Sequence, residues 1–280
     1  MGTIKTAIRT GLRNYLPLSA RKRLAVLINR QPWLNRKFRA WISSDLLQNW
    51  KDSDVNSLHK FQWENHLGYA STYEIDARFG YDNFNETRKI LFNELQRHLR
   101  DRGLNPASDI HSVFEVGCSL GYLLRYMETD LFPNADYLGG IDIDQYAIDR
   151  GSAYLQGLDS KVELIRGDME SLEQVMQSRS YDIVFCPGVL MYLQQEHAKG
   201  VVDVMLKHSK KLLCITGLAH PTTDNSQLTA SCSREIDRTF IHNIDKMVVD
   251  SGGQILYRRW DGDRIVDGNT IYFVFAEKQS

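Results

Sequence analysis

The chain has 280 residues, 42% hydrophobic and 25% charged, with 34 Lys or Arg against 35 Asp or Glu for a formal net charge of −1. That length and balance suit one substantial folded core plus an appendage, and exclude a disordered, collagenous or disulfide-framed chain. No apolar run reaches the ~18 residues of a transmembrane helix, and the N-terminus lacks the continuous apolar stretch of a signal peptide.

The near-neutral total hides an asymmetry. The first 44 residues hold ten Lys or Arg and no acid, which leaves 24 basic and 35 acidic residues in the remainder, a net −11. A nucleic-acid enzyme concentrates positive charge around its active site, so an acidic body with a basic end argues against a nucleic-acid partner. Residues 1–50 read as a basic amphipathic helical extension. Ile4, Ile8, Leu12 and Tyr15 share one helical face, with Lys5, Arg9 and Arg13 on an adjacent one. Pro17 stops this helix, Ser19 is placed to cap a second over 21–29, and Leu34, Phe38, Trp41 and Ile42 mark a third. Such a segment either lies on an anionic membrane surface or packs on the body with its cationic face in water. An Arg-rich, acid-free leader is also the composition of a transit peptide, although serine is scarce here.

Residues 51–105 read as a connecting, lid-like segment rich in aromatic residues: Phe61, Trp63, Tyr69, Tyr73, Phe79, Tyr81 and Phe84. Their rings either pack between the extension and the body or border a ligand. A helix over 86–100 leads out of the segment.

Residues 106–280 alternate strands and helices, the pattern of a parallel α/β sheet. The first strand, Val113-Phe114-Glu115-Val116, runs into Gly117-Cys118-Ser119-Leu120-Gly121, and a helical pattern follows at once. Glycines here let a ligand approach the backbone, and the helix amide end lies nearby. The turn is not the dinucleotide fingerprint, because Ser119 and Tyr122 stand where its second and third glycines belong. The spacing kept is acid-x-Gly-x-x-x-Gly, met by Glu115, Gly117 and Gly121. The second strand, 137–142, ends in Asp142, a carboxylate that can accept both hydroxyls of a ribose; Asp144 suits the N-cap of the next helix. The third strand, 162–165, precedes Arg166-Gly167-Asp168-Met169, where Asp168 is either a ligand contact or a helix cap. The fourth, 181–186, precedes Pro187-Gly188-Val189-Leu190-Met191-Tyr192-Leu193. A helix over 196–208, a fifth strand over 211–216, a helix over 233–250 and a strand pair over 254–260 and 270–276 complete the chain. Asp267-Gly268-Asn269 supplies the hairpin turn.

This series of strand ends resembles the class I S-adenosylmethionine-dependent methyltransferases, most closely over 110–220. The resemblance implies a Rossmann-like sheet of seven mostly parallel strands, the last antiparallel, with helices on both faces. It implies S-adenosylmethionine as cofactor, bound by Glu115, Gly117, Cys118, Gly121, Asp142, Ile143, Asp168, Met169 and Pro187. In the family an acid at the place of Asp168 meets the adenine amino group, and the segment before the first motif folds over the cofactor, which gives Tyr69, Tyr73 and Tyr81 candidate roles.

An alcohol acceptor needs a base beside the sulfonium methyl. His220, just past the fifth strand, is the candidate, with Tyr192 and His242 behind it; Asp224, Arg234, Arg238 and Asn243 are candidates for lining an acceptor pocket. Family members that methylate nucleobase amines carry an Asn/Asp-Pro-Pro-aromatic tetrapeptide after strand four, and this chain has Cys186-Pro187-Gly188-Val189. No metal-ligand cluster is visible. The acceptor expected is a small molecule or a glycan, and the C-terminal third resembles methyltransferases of bacterial surface-polysaccharide pathways. N- or carboxyl-methylation of a small metabolite and a catalytically silent cofactor-binding scaffold are the alternatives. Cys118, Cys186, Cys214 and Cys232 form no CxxC pair and read as reduced thiols of a cytoplasmic protein, with membrane apposition through the basic end as the variant.

Overall fold

The computed structural model describes residues 16–31, 33–34, 39, 46–47, 50, 55–67, 75 and 78–279. The chain divides into two compact units, residues 1–72 and 73–280. The helix expected over 4–15, most of the third N-terminal pattern, and Tyr69 and Tyr73 lie outside the described residues.

In the first unit α1 spans Leu18–Asn29 and α2 spans Val55–Glu64. The expected cap at Ser19 is corrected: Pro17 is the N-cap residue, and the helix begins three residues earlier than the polar pattern indicated. Proline fixes φ near the value a helix entry needs and has no N–H to orphan. Ala25 of α1, Leu46, Leu47, Trp50 and Leu58 of α2 form a small core. Lys22 lays its ammonium 3.7 Å from the Trp50 ring centroid, a cation–π contact worth ~0.5–2 kcal/mol.

In the second unit seven strands among the described residues form one sheet. β1 (Ser112–Val116), β2 (Tyr137–Asp142), β3 (Glu163–Arg166), β4 (Tyr181–Pro187) and β5 (Ser209–Thr216) are parallel. β6 (Cys232–Ser233) and β7 (Phe240–Ile241) make a separate two-stranded ribbon. β8 (Gly253–Val266) and β9 (Asn269–Lys278) close the sheet in the order β3-β2-β1-β4-β5-β9-β8, and β9 pairs antiparallel with β5. This is the Rossmann-like architecture expected.

The central strands are buried on both faces, so they read as continuous apolar runs. Phe114, Val184, Leu213 and Val274 pack on one face under α6 (Leu172–Met176), α7 (Gln195–His208) and α8 (Ile244–Asp250). The other face carries α3 (Glu86–Asp101), whose Phe92 stacks 5.8 Å from Phe185. It also carries α4 (Tyr122–Tyr126) and α5 (Gln145–Gln156). A Cβ on Gly140 would strike Cys118 and Leu124 of α4, and one on Gly151 of α5 would strike the Leu120 carbonyl and Leu164 of β3, so both helices lie close against the sheet. Asp182 sits at the opposite edge from the glycine turn: it accepts the His111 amide at 2.7 Å and pairs with Lys211 at 3.2 Å. Its role is structural.

The helix expected over 233–250 is corrected. Only Ile244–Asp250 is helical, and the residues before it form the ribbon. The Arg234 amide donates to the Thr239 carbonyl, Arg238 takes φ +60, and the Asn243 side chain caps α8 by accepting from Lys246. Thr239, Phe240 and Ile241 are better suited to a strand than to a helix interior. The hairpin turn is as expected, with Asp267 at φ +50 and Gly268 at φ +76, the two-residue turn that matches strand twist.

Candidate active site

The carboxyl ends of β1, β2, β4 and β5 meet at one edge. After β1, Gly117 takes φ +81 and Gly121 φ +77, with Ser119 between them at φ +50. The amides of Gly117 and Cys118 donate to the Ile141 carbonyl at 2.8 and 3.0 Å, which ties the turn to the end of β2. The two glycines do different work. A Cβ on Gly117 would enter the Val189 side chain, beyond β4, whereas one on Gly121 would enter Leu164 and Leu155. Gly117 therefore keeps the strand ends close, and Gly121 lets the turn and α4 seat against α5 and β3.

Asp142 accepts the Ser119 amide at 2.8 Å on one carboxylate oxygen and the Asp144 amide at 2.9 Å on the other. Each oxygen keeps a lone pair for a further donor, and burial raises the carboxyl above its ordinary value. Asp144 caps α5 through the amides of Tyr146 and Ala147, and half-buried Ile143 lies between the two acids.

Glu115 is 1% exposed and its Oε2 has no hydrogen-bond partner. Burial pushes its carboxyl well up; the Arg88 guanidinium opposes this and Asp142 adds to it. Arg88, from α3, stands 5.2 Å from the Tyr122 ring centroid. Nothing in the α3 sequence distinguished it from a solvated helix arginine. A buried, unpartnered carboxylate oxygen is costly, and a cationic ligand group relieves that cost.

The other expected residues lie around this edge. Cys118 turns its thiol into the core; its amide donates to Ile141 of β2, and its carbonyl accepts from Gly121 within the turn. Asp168 caps the short turn Met169–Ser171 by accepting the Glu170 amide at 3.0 Å. Met169 lines a shallow depression with Glu170, His197 and Val201. Pro187 ends β4 opposite Thr216. Tyr81 stacks on Tyr126 at 5.1 Å, which is aromatic packing within the unit.

The loop after β5 is held by a polar network. Asn225, fully buried, donates to the carbonyls of Leu218 and His242 and accepts from the His220 amide and the Trp260 indole. Arg258 of β8 grips Asp224 with two bonds of 3.0 and 2.5 Å and reaches Asp245 at 2.8 Å. Asp224 and Asn243, expected to line an acceptor pocket, are thus occupied in holding this loop. The Arg258 hydrogen bonds lower the Asp224 carboxyl from 3.8 to about 2. A depressed carboxylate stabilises the fold above its unfolded value and loses that contribution as pH falls through its folded value. Asp224→Asn is therefore expected to cost about 1–2 kcal/mol at pH 7, allowing for partial exposure. In thermal unfolding, the gap between wild type and variant should close between pH 4 and pH 2.

Two histidines lie in this loop region. His220 accepts the Thr222 and Thr223 amides on Nδ1, at 3.3 and 3.1 Å. Its neutral ring therefore carries the proton on Nε2. Taking up another proton at Nδ1 would break both bonds and face N–H against N–H. His242 is 3% exposed; its Nε2 donates to the Leu190 carbonyl at 3.0 Å, and its Nδ1 meets the Ser231 hydroxyl at 2.7 Å. Burial lowers its pKa, so the ring is neutral near pH 7. Nδ1 is then an acceptor, with Ser231, half-buried, donating to it. The Ser231 amide donates to Gln195 at 2.7 Å. This pair joins the loop after β5 to the turn Leu190–Tyr192 after β4. Ser231 carried no signal in the sequence; only the ribbon brings it to His242.

Residues 114–219 match the methyltransferase domain family. No curated protein sequence matches the chain. Among solved structures, magnesium protoporphyrin IX methyltransferase from Synechocystis PCC 6803, with bound S-adenosylmethionine, aligns with a TM-score of 0.52 and 17% identity over 81% of this chain and 98% of its own. An O-methyltransferase family protein from Burkholderia thailandensis aligns with a TM-score of 0.51 and 14% identity over 86% of this chain and 72% of its own. The cyclase SpnF aligns with a TM-score of 0.51 and 14% identity over 67% of this chain and 81% of its own. At these identities the likeness shows the fold. The chain carries a methyltransferase domain over residues 114–219, and this match supports an S-adenosylmethionine-dependent methyltransferase enzyme.

Proposed function

We propose that this enzyme methylates a hydroxyl of a small polar acceptor, with a sugar as the favoured class. The cofactor fits the residues present. Asp142 would hold the ribose hydroxyls with its remaining lone pairs, and Ile143 would cover one face of the adenine. Asp168 and the Met169 amide would meet the adenine edge, and Glu115 would receive the amino group on its unpartnered oxygen. Gly117 and Pro187 would border the sulfur end, and Gly121 would act by seating α4. Bound S-adenosylmethionine supplies a methyl group on a positively charged sulfur, already activated for displacement.

The observation that carries the alcohol reading is the Ser231–His242 pair. Ser231 Oγ can take the acceptor's hydroxyl proton while passing its own to His242 Nδ1. His242 Nδ1–H then donates back to Ser231, so no hydrogen bond is lost, and Leu190 continues to accept from Nε2. His220 has no such route. An amine or a carboxylate acceptor would not need this relay. The support for a sugar is the departure at 186–189 from the nucleobase-amine pattern and the C-terminal resemblance.

Methyl-labelled S-adenosylmethionine tested against matched panels of glycosides, amines and carboxylates is expected to label glycosides; label confined to amines or carboxylates would overturn the hydroxyl reading. The cofactor assignment has its own test. Asp142→Asn keeps the side-chain shape but replaces one acceptor oxygen, and should weaken S-adenosylhomocysteine by ~1.5–3 kcal/mol in calorimetry. Unaltered affinity would place the ribose elsewhere.

A further inference from the structure

The basic residues of α1 and its C-cap, Arg30, are divided between two tasks. Arg21 donates to the Leu46 carbonyl at 3.2 Å and Lys22 covers Trp50, so both staple the first unit together. Arg23 and Arg30 are exposed and make no ion pair or side-chain hydrogen bond among the described residues. They lie at i and i+7, and Leu27 stands between them on the same face. Leu27 is 58% exposed, and Trp33, just past the helix, is 76% exposed. The result is an outward stripe of cation, aliphatic, cation and indole. No acid occurs in the first 44 residues to neutralise it.

We propose that this stripe docks the protein on an anionic lipid surface, a role independent of the methyl-transfer reading. Arginines at the headgroup level attract acidic phospholipids, and an indole is favoured where apolar chain meets polar headgroup. Leu27, set between two guanidinium groups on a convex helix face, suits the upper hydrocarbon region. A nucleic-acid backbone would engage the arginines but offer the leucine nothing. The Trp33 indole N–H, 3.1 Å from Gln31 Oε1, is already satisfied, so burying the ring orphans no donor.

The test is co-sedimentation of the full chain with vesicles of phosphatidylcholine alone or with phosphatidylglycerol added, at low and high salt. Binding should require phosphatidylglycerol and weaken with salt. Arg23→Ala with Arg30→Ala should reduce it about 30-fold, as expected for two interfacial charges. Trp33→Ala should reduce it several-fold and remove a blue shift in tryptophan emission on vesicle addition. These side chains are exposed, so circular dichroism and thermal unfolding should match wild type. Equal binding to neutral vesicles, or stripe variants that bind like wild type, would overturn the proposal. So would a DNA duplex binding as tightly as the vesicles with the same dependence on Arg23 and Arg30.

Discussion

Gly117→Val is expected to abolish S-adenosylhomocysteine binding and to destabilise the second unit by ~2–4 kcal/mol. Two causes add. A β-branched residue at φ +81 is a genuine backbone outlier, and its side chain would enter Val189. The turn can relieve the clash only by parting from the end of β4, and that separation removes the surface proposed for the cofactor. Calorimetry with S-adenosylhomocysteine, alongside thermal unfolding, reads both effects. Gly121→Val makes the informative contrast: it strikes Leu164 and Leu155 in the packing of α4. It should lower stability by a similar amount while leaving weakened, measurable binding in the fraction that folds. A folded Gly117→Val chain that binds like wild type would show that the cofactor does not lie against this turn.

The second large effect is expected at the Ser231–His242 pair. Ser231→Ala leaves the buried ring in place and removes the hydroxyl through which a proton reaches it. Turnover on a labelled acceptor should fall ~10²–10⁴-fold, the range for loss of a general base, while S-adenosylhomocysteine affinity stays unchanged. Because burial lowers the His242 pKa, the neutral, accepting ring persists below the ordinary histidine value. The acid limb of the wild-type rate profile should therefore lie below pH 6.5, and should vanish in Ser231→Ala. His220→Ala is the companion variant. It removes an acceptor for the Thr222 and Thr223 amides and so should loosen the loop, with a loss of stability and a modest loss of rate. A large loss in His220→Ala, with none in Ser231→Ala, would return the proton to His220.

The strand ends are legible in the sequence because their signals are local. An apolar run of five or six residues buried on both faces, followed by a turn that only glycine tolerates, leaves few other structures for those residues. Glu115, Gly117, Gly121 and Asp142 carry their spacing in the chain itself, and the parallel order follows from the helices between strands. The helix over 233–250 misled for the converse reason. Its apolar residues fit a helical period, but three consecutive residues with β preference and one tight turn, Arg234 to Thr239, outweighed that period.

What the sequence determined by itself is therefore the sheet, the edge where its glycine turn and acids gather, and the division of charge between the two ends, since each is set by near neighbours in the chain. The tertiary structure alone decided which polar groups remain free at that edge. Asp224 and Asn243 are consumed by Arg258 and by the cap of α8, His220 by two backbone amides, and Cys118 by the core, while Ser231 is delivered to His242 by a ribbon of two short strands. A donor or acceptor is spent or available according to partners that are in several cases far away in sequence, and no local pattern records them.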